Sequence, residues 1–400
     1  MNHPAATTPL TIVIAPDSFK GSLSAADAAA ALAAGVRDVL GAAPQITECP
    51  MADGGEGTLD AISLVWAVSP RHLTVTDALG RPCSARYAVS ADARTGLIEA
   101  AEANGLPAVL DVARQPLRAD TAGVGLIARE LLDQGVHEIL LCIGGSATTD
   151  GGTGLLTALG ARFLDQNGEP VAPGGGGLAD IRSIDTAGLH DRARDVTWRV
   201  AVDVNNPLIG ENGAAAVFGP QKGANPADIA VLDAGLANLA RVIAAATGID
   251  TRALPGAGAA GGMPATLVPL LQASMVPGST LVADAVGLTD RLAAADLVLT
   301  GEGRFDSQSL GGKVVEAVAR LAPAGCPVVV VAGSVGLDAR QTRAAGVTAA
   351  FSLADGPATL DQLTEHAAER LRDTAAQIAA LFFARYARPT PLTPASDVAL

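Results

Sequence analysis

The chain carries only three lysines against 24 arginines, and each lysine sits beside a glycine: Lys20 in FKG, Lys222 in QKG and Lys313 in GGK. A lysine ammonium is a compact, mobile point charge, whereas arginine presents a planar fork, and sites built for the first do not accept the second. Lone ammonium groups in glycine-rich loops suit contacts to phosphate or carboxylate oxygens. Chance placement of three residues would look the same, so the neighbouring groups matter.

Those neighbours are acidic. Asp17 and Ser18 lie in PDSFKG, Asp53 and Glu56 in ADGGEGT, Asp150 in GGSATTDGG, and Asp203 in AVDVNNPL with Asn206 behind it. GEGRFD adds Glu302 and Asp306 around Arg304. Carboxylates at loop ends suit Mg²⁺, which takes one or two protein carboxylates and leaves its other positions to water and phosphate oxygens. One of them could instead take a proton from a substrate hydroxyl. Any single one is more simply a helix cap or an Asx-turn residue; five such loops together with all three lysines point to a site that handles phosphate and Mg²⁺.

The run GGSATTDGG supplies Gly144, Gly145, Ser146, Thr148, Thr149, Gly151 and Gly152. A strand, a Gly/Ser/Thr loop and a helix start would present backbone N–H groups and hydroxyls to an anion. A tight turn with capping hydroxyls is the plainer reading. Two familiar signatures fail: Lys313 follows a glycine but is followed by Val314, so there is no Walker P-loop. Gly256, Gly258 and Gly261 match GxGxxG, yet Leu254-Pro255 stands where a strand is required. No histidine lies in a glycine loop, which disfavours histidine acid–base chemistry and a Ser–His triad, and nucleophilic cysteine is no better supported.

The elements that must position these residues repeat one pattern. Apolar runs at residues 11–15, 139–143, 297–300 and 327–331 each lead into a glycine-rich loop. Helices are expected after the first three loops, over residues 24–39, 153–163 and 312–321. Such runs alternating with helices indicate a parallel sheet covered on both faces, whose ligands bind where loops leave the carboxyl ends of the strands. Residues 72–101 differ, reading as short strands joined by tight turns and hence a mixed sheet. The expectation is an α/β fold of two α/β domains: one discontinuous, from 1–71 plus 291–388, and one inserted at 72–290. Residues 389–400, with three prolines, read as a loose tail.

Length and composition set the remaining bounds. A chain of 400 residues with 49% apolar residues supplies a large core, and glycine is spread throughout rather than in a repeat. This excludes collagen-like, coiled-coil and wholly disordered classes. A net charge of −14 and an isoelectric point near 4.7 repel nucleic acid, and 3% aromatic content offers few stacking platforms. Cys49, Cys83, Cys142 and Cys326 are unclustered and read as reduced, mostly buried thiols. The uncharged stretch 253–283 is broken by four prolines and is no membrane helix. No basic n-region precedes the first apolar run; the expectation is a cytoplasmic protein with no membrane partner.

Taken in order, IAPDSFKGSLSA, PMADGGEGT, GGSATTDGG, DVNNPLIGENGAAAVFGPQKGA, GAGAAGGM, TGEGRFDSQSLGGK and VAGSVG resemble the bacterial glycerate kinase family, type 1. The resemblance spans residues 11–384. It implies ATP- and Mg²⁺-dependent phosphorylation of D-glycerate, commonly at the 2-hydroxyl, with 3-phosphoglycerate as the alternative product. A non-catalytic small-anion binding protein is the rival class. It further implies a flavodoxin-like domain and a second, restriction-endonuclease-like α/β domain with the site in a cleft between them, in a monomer or homodimer. On this footing Gly144, Gly145, Ser146, Thr148, Thr149, Gly151, Gly152 and Lys222 would hold ATP, and Asp150 with Asp203 the metal. Lys20 and Arg304 would neutralise developing charge, and Asp203, or else Asp53, would be the base. Asp17, Ser18, Lys20, Glu56, Asn206, Glu302, Asp306 and Lys313 would face the substrate. Two positions depart from the family pattern: Thr149 where Asn is expected, and Pro264 where Gly is expected.

Overall fold

The computed structural model describes residues 10–354 and 356–384; the tail expected at 389–400 lies outside the described residues. The described strands are β1 (Thr11–Ile14), β2 (Gln45–Glu48), β3 (Arg71–Thr76), β4 (Pro82–Val89), β5 (Thr95–Glu99), β6 (Glu138–Cys142), β7 (Arg162–Leu164), β8 (Ser183–Asp185), β9 (Thr197–Ala201), β10 (Ser274–Val276), β11 (Leu297–Phe305), β12 (Val328–Val335) and β13 (Ala349–Ser352). Among the described residues two compact units hold them: those up to Pro50, Thr289–Leu310 and those from Val318 onward form the first, Met51–Leu288 and Gly311–Ala317 the second.

The first unit is built on a wholly parallel five-stranded sheet of order β13-β12-β11-β1-β2. Numbered within the unit this is the 2-1-3-4-5 order of flavodoxin-like sheets. Ile12, Val13, Ile14, Leu297, Val298, Leu299 and Val328 to Val331 are buried, as continuous apolar runs covered on both faces require. The helix Ala25–Leu40 starts at Ser24, whose hydroxyl accepts the Asp27 amide. Gly35 lets this helix pack against the helix Ala367–Phe382, because a Cβ there would collide with the Arg372 carbonyl.

The last two apolar runs continue further than expected. The glycines of TGEGRF and AGSVG suggested loops, yet β11 and β12 run on together, pairing Glu302 with Ala332 and Arg304 with Ser334. Glycine here serves close approach: a Cβ on Gly333 would lie 2.5 Å from the Gly303 carbonyl oxygen.

The second unit contains a six-stranded mixed sheet of order β10-β9-β6-β5-β4-β3. β5, β6, β9 and β10 are parallel neighbours, and β3 and β4 add an antiparallel meander. Its core includes Leu97, Ile98, Ile127, Leu131 and Trp198, whose indole N–H donates to the Ala193 carbonyl at 2.8 Å. The helix expected over 153–163 stops at Ala158, and Phe163 sits instead in the small β7–β8 ribbon. The uncharged stretch at 253–283 is divided among Ala259–Gly261, the helix Pro264–Leu271, β10 and the helix Gly278–Ala285. Pro264 occupies the first helical position, where its missing N–H costs nothing.

The first crossing between units falls at Met51, not after residue 71. The segment after Pro50 is tied to the second unit: the Trp66 indole donates to the Ala285 carbonyl at 2.8 Å, and the Leu59 amide to the Glu99 carboxylate at 2.9 Å. Gly311–Ala317 belongs there too, with the Ser279 hydroxyl donating to the Gly312 carbonyl.

Candidate active site

The carboxyl ends of β5, β6, β9 and β10 lie along one edge of the second unit's sheet, and the residues following them meet there. Asp203, two residues beyond β9, accepts the Gly278 amide through Oδ1 at 2.8 Å. Asp53 accepts the Gly55 amide through Oδ1 at 3.2 Å. Backbone meets backbone at this edge, and only glycine allows it. A Cβ on Gly278 would strike the Asp53 carbonyl and come within 2.7 Å of Asp203 Oδ2. One on Gly54, at φ +84°, would lie 2.7 Å from the Ala201 Cβ, and one on Gly144 2.8 Å from the Gly55 Cα.

This crowding has an electrostatic consequence. Asp203 keeps one side open to solvent, yet burial of its carboxyl raises it to about 6. The Gly278 N–H and Lys313 pull the other way, and Asp53 adds like-charge repulsion. A carboxylate held there is ionised at neutral pH and still basic enough to accept a proton.

The 144–152 loop is organised from within. Asp150 is fully buried, and its Oδ2 accepts the Thr121 amide (3.0 Å), the Thr121 hydroxyl (2.7 Å) and the Gly154 amide (3.0 Å). Its Oδ1 accepts the Gly152 amide at 3.1 Å. Four donors on a fully buried carboxylate make Asp150 an organiser of the loop, a different role from the metal ligand expected from sequence. Lys222 is 3% exposed, its ammonium donating to the Thr148 carbonyl (2.5 Å) and the Ser146 hydroxyl (3.3 Å). Burial pushes it down to about 8, and Asp150 partly offsets this.

Thr148 and Thr149 are also fully buried; the Thr148 hydroxyl accepts from the Asn104 amide at 3.2 Å, and the Thr149 hydroxyl has no partner among the described residues. The loop therefore turns its hydroxyls inward and leaves Gly144 and Gly145 as its more accessible backbone. The GAGAAGG run forms the floor beneath it: the Gly151 amide donates to the Gly261 carbonyl at 3.0 Å, and Gly261 packs on the Thr148 carbonyl. Close packing, not a dinucleotide fingerprint, accounts for these glycines.

In the first unit, Asp17, Ser18 and Lys20 follow β1, while Glu302 and Arg304 lie on the adjoining β11. These two strands flank the point where the strand order reverses, which is where doubly wound sheets bind ligands. The Asp17 amide donates to the Gly301 carbonyl (2.8 Å), and Asp17 Oδ1 accepts the Ser18 amide (2.6 Å). Lys20 is exposed and Glu302 buried. Arg304, whose side chain is 74% exposed, pairs with Asp306 at 2.9 Å.

The other candidates fall in the second unit. Glu56 is exposed and Lys313 half-buried. Asn206 holds its own loop, donating to the Asn212 carbonyl at 2.8 Å and accepting the Gly258 amide at 3.0 Å. The sequence reading missed Gly278 and Glu99; the signal for Glu99 was an acidic residue closing the apolar run GLIE. A cavity of about 410 Å³ lined by Trp66, Glu138, Arg199 and Asp284 contains none of the candidate residues and lies toward the amino ends of β5 and β6.

The model of the glycerate kinase family matches residues 12–383. A glycerate kinase of Bacillus subtilis (strain 168) is 44% identical over 374 residues, 93% of this chain and 97% of that protein. A glycerate 2-kinase of Escherichia coli (strain K12) is 43% identical over 372 residues, again 93% and 97%. A crystal structure from Salmonella typhimurium LT2, of a protein provisionally named glycerate kinase 2, superposes with a TM-score of 0.86 at 44% identity, covering 94% of this chain and 99% of that one.

Proposed function

The chain belongs to the glycerate kinase family, and from that premise we propose that it transfers the γ-phosphoryl group of ATP to the 2-hydroxyl of D-glycerate at the Asp53–Asp203 edge. The observation that carries the placement is the glycine-enabled convergence of Asp53, Asp203, Gly144 and Gly278, with Lys313 acting on Asp203. Phosphoryl transfer needs chiefly positioning and neutralisation of charge. Asp203 accepts the proton of the 2-hydroxyl as its oxygen bonds to the γ-phosphorus, and the bond from phosphorus to the β–γ bridging oxygen breaks to release ADP.

The amides of Gly144 and Gly145 face the nucleotide phosphates, while Lys222 and Asp150 hold that loop from behind. Lys313 attracts the negative charge gathered at Asp203. Lys20 and Arg304, the exposed cations at the first unit's switch point, are assigned contacts to substrate anions, a role that a near-parental Lys20→Met enzyme would remove.

Mg²⁺ fits the donors at this edge: Asp53 spends Oδ1 on Gly55 and has Oδ2 to offer, which matches an ion that takes few protein carboxylates. When bound, the ion would neutralise phosphate charge beside the reacting groups.

Incubation with D-glycerate, ATP and Mg²⁺, followed by enolase without phosphoglycerate mutase, tests the reading. Formation of phosphoenolpyruvate is expected, since enolase acts on the 2-isomer alone. A signal that needs added mutase would instead mean transfer to the 3-hydroxyl, and no signal with mutase would favour the anion-binding class.

A further inference from the structure

The segment carrying Asp53 has no regular structure until the helix Thr58–Trp66 begins. That helix starts at Gly57, at φ +89°, which has no side chain with which to cap the first amides. The cap comes from elsewhere. Glu99, the last residue of β5 and 4% exposed, accepts the Gly57 amide at 3.3 Å and the Leu59 amide at 2.9 Å. Between Glu99 and Asp53, the Thr58 hydroxyl donates to the Gly55 carbonyl at 2.7 Å and the Gly55 amide to Asp53. Asp53 is thus tied to the end of β5 through hydrogen bonds joined by short steps of backbone at 57–59 and at Gly55, and the loop so held is the one whose Gly54 and Gly55 meet Ala201 and Gly144.

We propose that Glu99 is a positioning residue for phosphoryl transfer: its ionised carboxylate caps the Gly57 and Leu59 amides and so keeps the Asp53 loop aligned with Asp203 and Gly144. This inference rests on the reading that places the chemistry at the Asp53–Asp203 edge. An ionised carboxylate offers an acceptor to each amide, whereas a neutral acid or an amide has only one good acceptor oxygen.

The surroundings of Glu99 set where that change occurs. Burial raises its carboxyl to about 7, against the pull of the two amides. Glu102, from the segment after β5, and Asp60, from the capped helix, raise it further. Both of those carboxylates are paired with Arg86 on β4, at 2.7 and 2.8 Å. From β6, Cys142 stands opposite Glu99 in register, its thiol pushed well above the usual range by burial. The double cap is therefore present above about pH 7 and lost below it.

The test uses the whole enzyme. Amide exchange at Gly57 and Leu59 in the parent, corrected for intrinsic rates, should show protection of at least one amide rising about tenfold between pH 6 and pH 9; flat protection would overturn the cap. Glu99→Gln should lower kcat about tenfold at pH 8 with KM for ATP within twofold, and the parent-to-variant ratio should approach one at pH 6. A ratio that is constant across pH would overturn the inference. Should Glu99→Gln not fold, the exchange measurement on the parent decides. A near-parental Asp53→Asn enzyme would overturn the reading of the edge and this inference with it, whereas flat exchange would overturn the cap alone.

Discussion

Asp203 and Gly278 are joined by a 2.8 Å hydrogen bond from the Gly278 amide to Asp203 Oδ1, at a point where no side chain on residue 278 has room. The carboxylate at the end of β9 is thereby fixed by the backbone that follows β10. The same glycine rests against the Asp53 carbonyl, so one residue sets the spacing of both candidate carboxylates.

Gly278→Ala should consequently act on both. The added methyl must displace the Asp53 loop or the Asp203 carboxylate, an overpacking cost of about 1–3 kcal/mol. Turnover should fall about tenfold or more while the fold persists. Steady-state kinetics beside thermal denaturation checks this, and a variant with parental kcat would mean the contact is slack.

The alternation of strand and helix, the meander at β3–β5 and the glycine loops were legible in sequence because they depend on local periodicity and turn chemistry. Phe163, which closes the expected helix, went astray because an apolar residue fits the face of a short helix and a short ribbon equally well. TGEGRF was misjudged because Gly301 and Gly303 signal a turn locally but close strand approach in three dimensions. Asp150 and Lys222 stood out correctly as unusual residues, yet their direction was invisible: whether a polar group faces ligand or loop depends on partners such as Thr121 and Thr148, distant in sequence. Glu99 escaped for the same reason, its partners lying some 40 residues away.

Removal of the Lys222 ammonium should register as a loop defect. Lys222→Met leaves the Thr148 carbonyl without its donor and Asp150 without a nearby cation, a loss of about 1–3 kcal/mol for the unsatisfied buried group. KM for ATP should rise several-fold, with a smaller effect on kcat, as nucleotide titrations of parent and variant would reveal. A variant with unchanged stability and KM would show that the loop holds its shape unaided.

The pH dependence carries a sign that can be checked. Because the Asp203 carboxyl is raised to about 6 in the folded protein, the base is protonated and idle below that value, and activity should climb from pH 5 to 7. Stability moves oppositely. The folded state holds this proton over the window between the ordinary carboxylate range and about 6 while the unfolded chain has released it, so this group's contribution falls as pH rises there. Rate and melting temperature measured over the same buffers should show opposed trends once the parent is compared with Asp203→Asn.

The most direct measurement is kcat for Asp203→Asn with D-glycerate and ATP at pH 8. The asparagine keeps an oxygen for the Gly278 amide but cannot take the hydroxyl proton. A loss of at least about a hundredfold in kcat is expected, within the range of general-base catalysis, with KM for ATP little changed. Turnover within a few-fold of the parent would contradict it and remove Asp203 as the base.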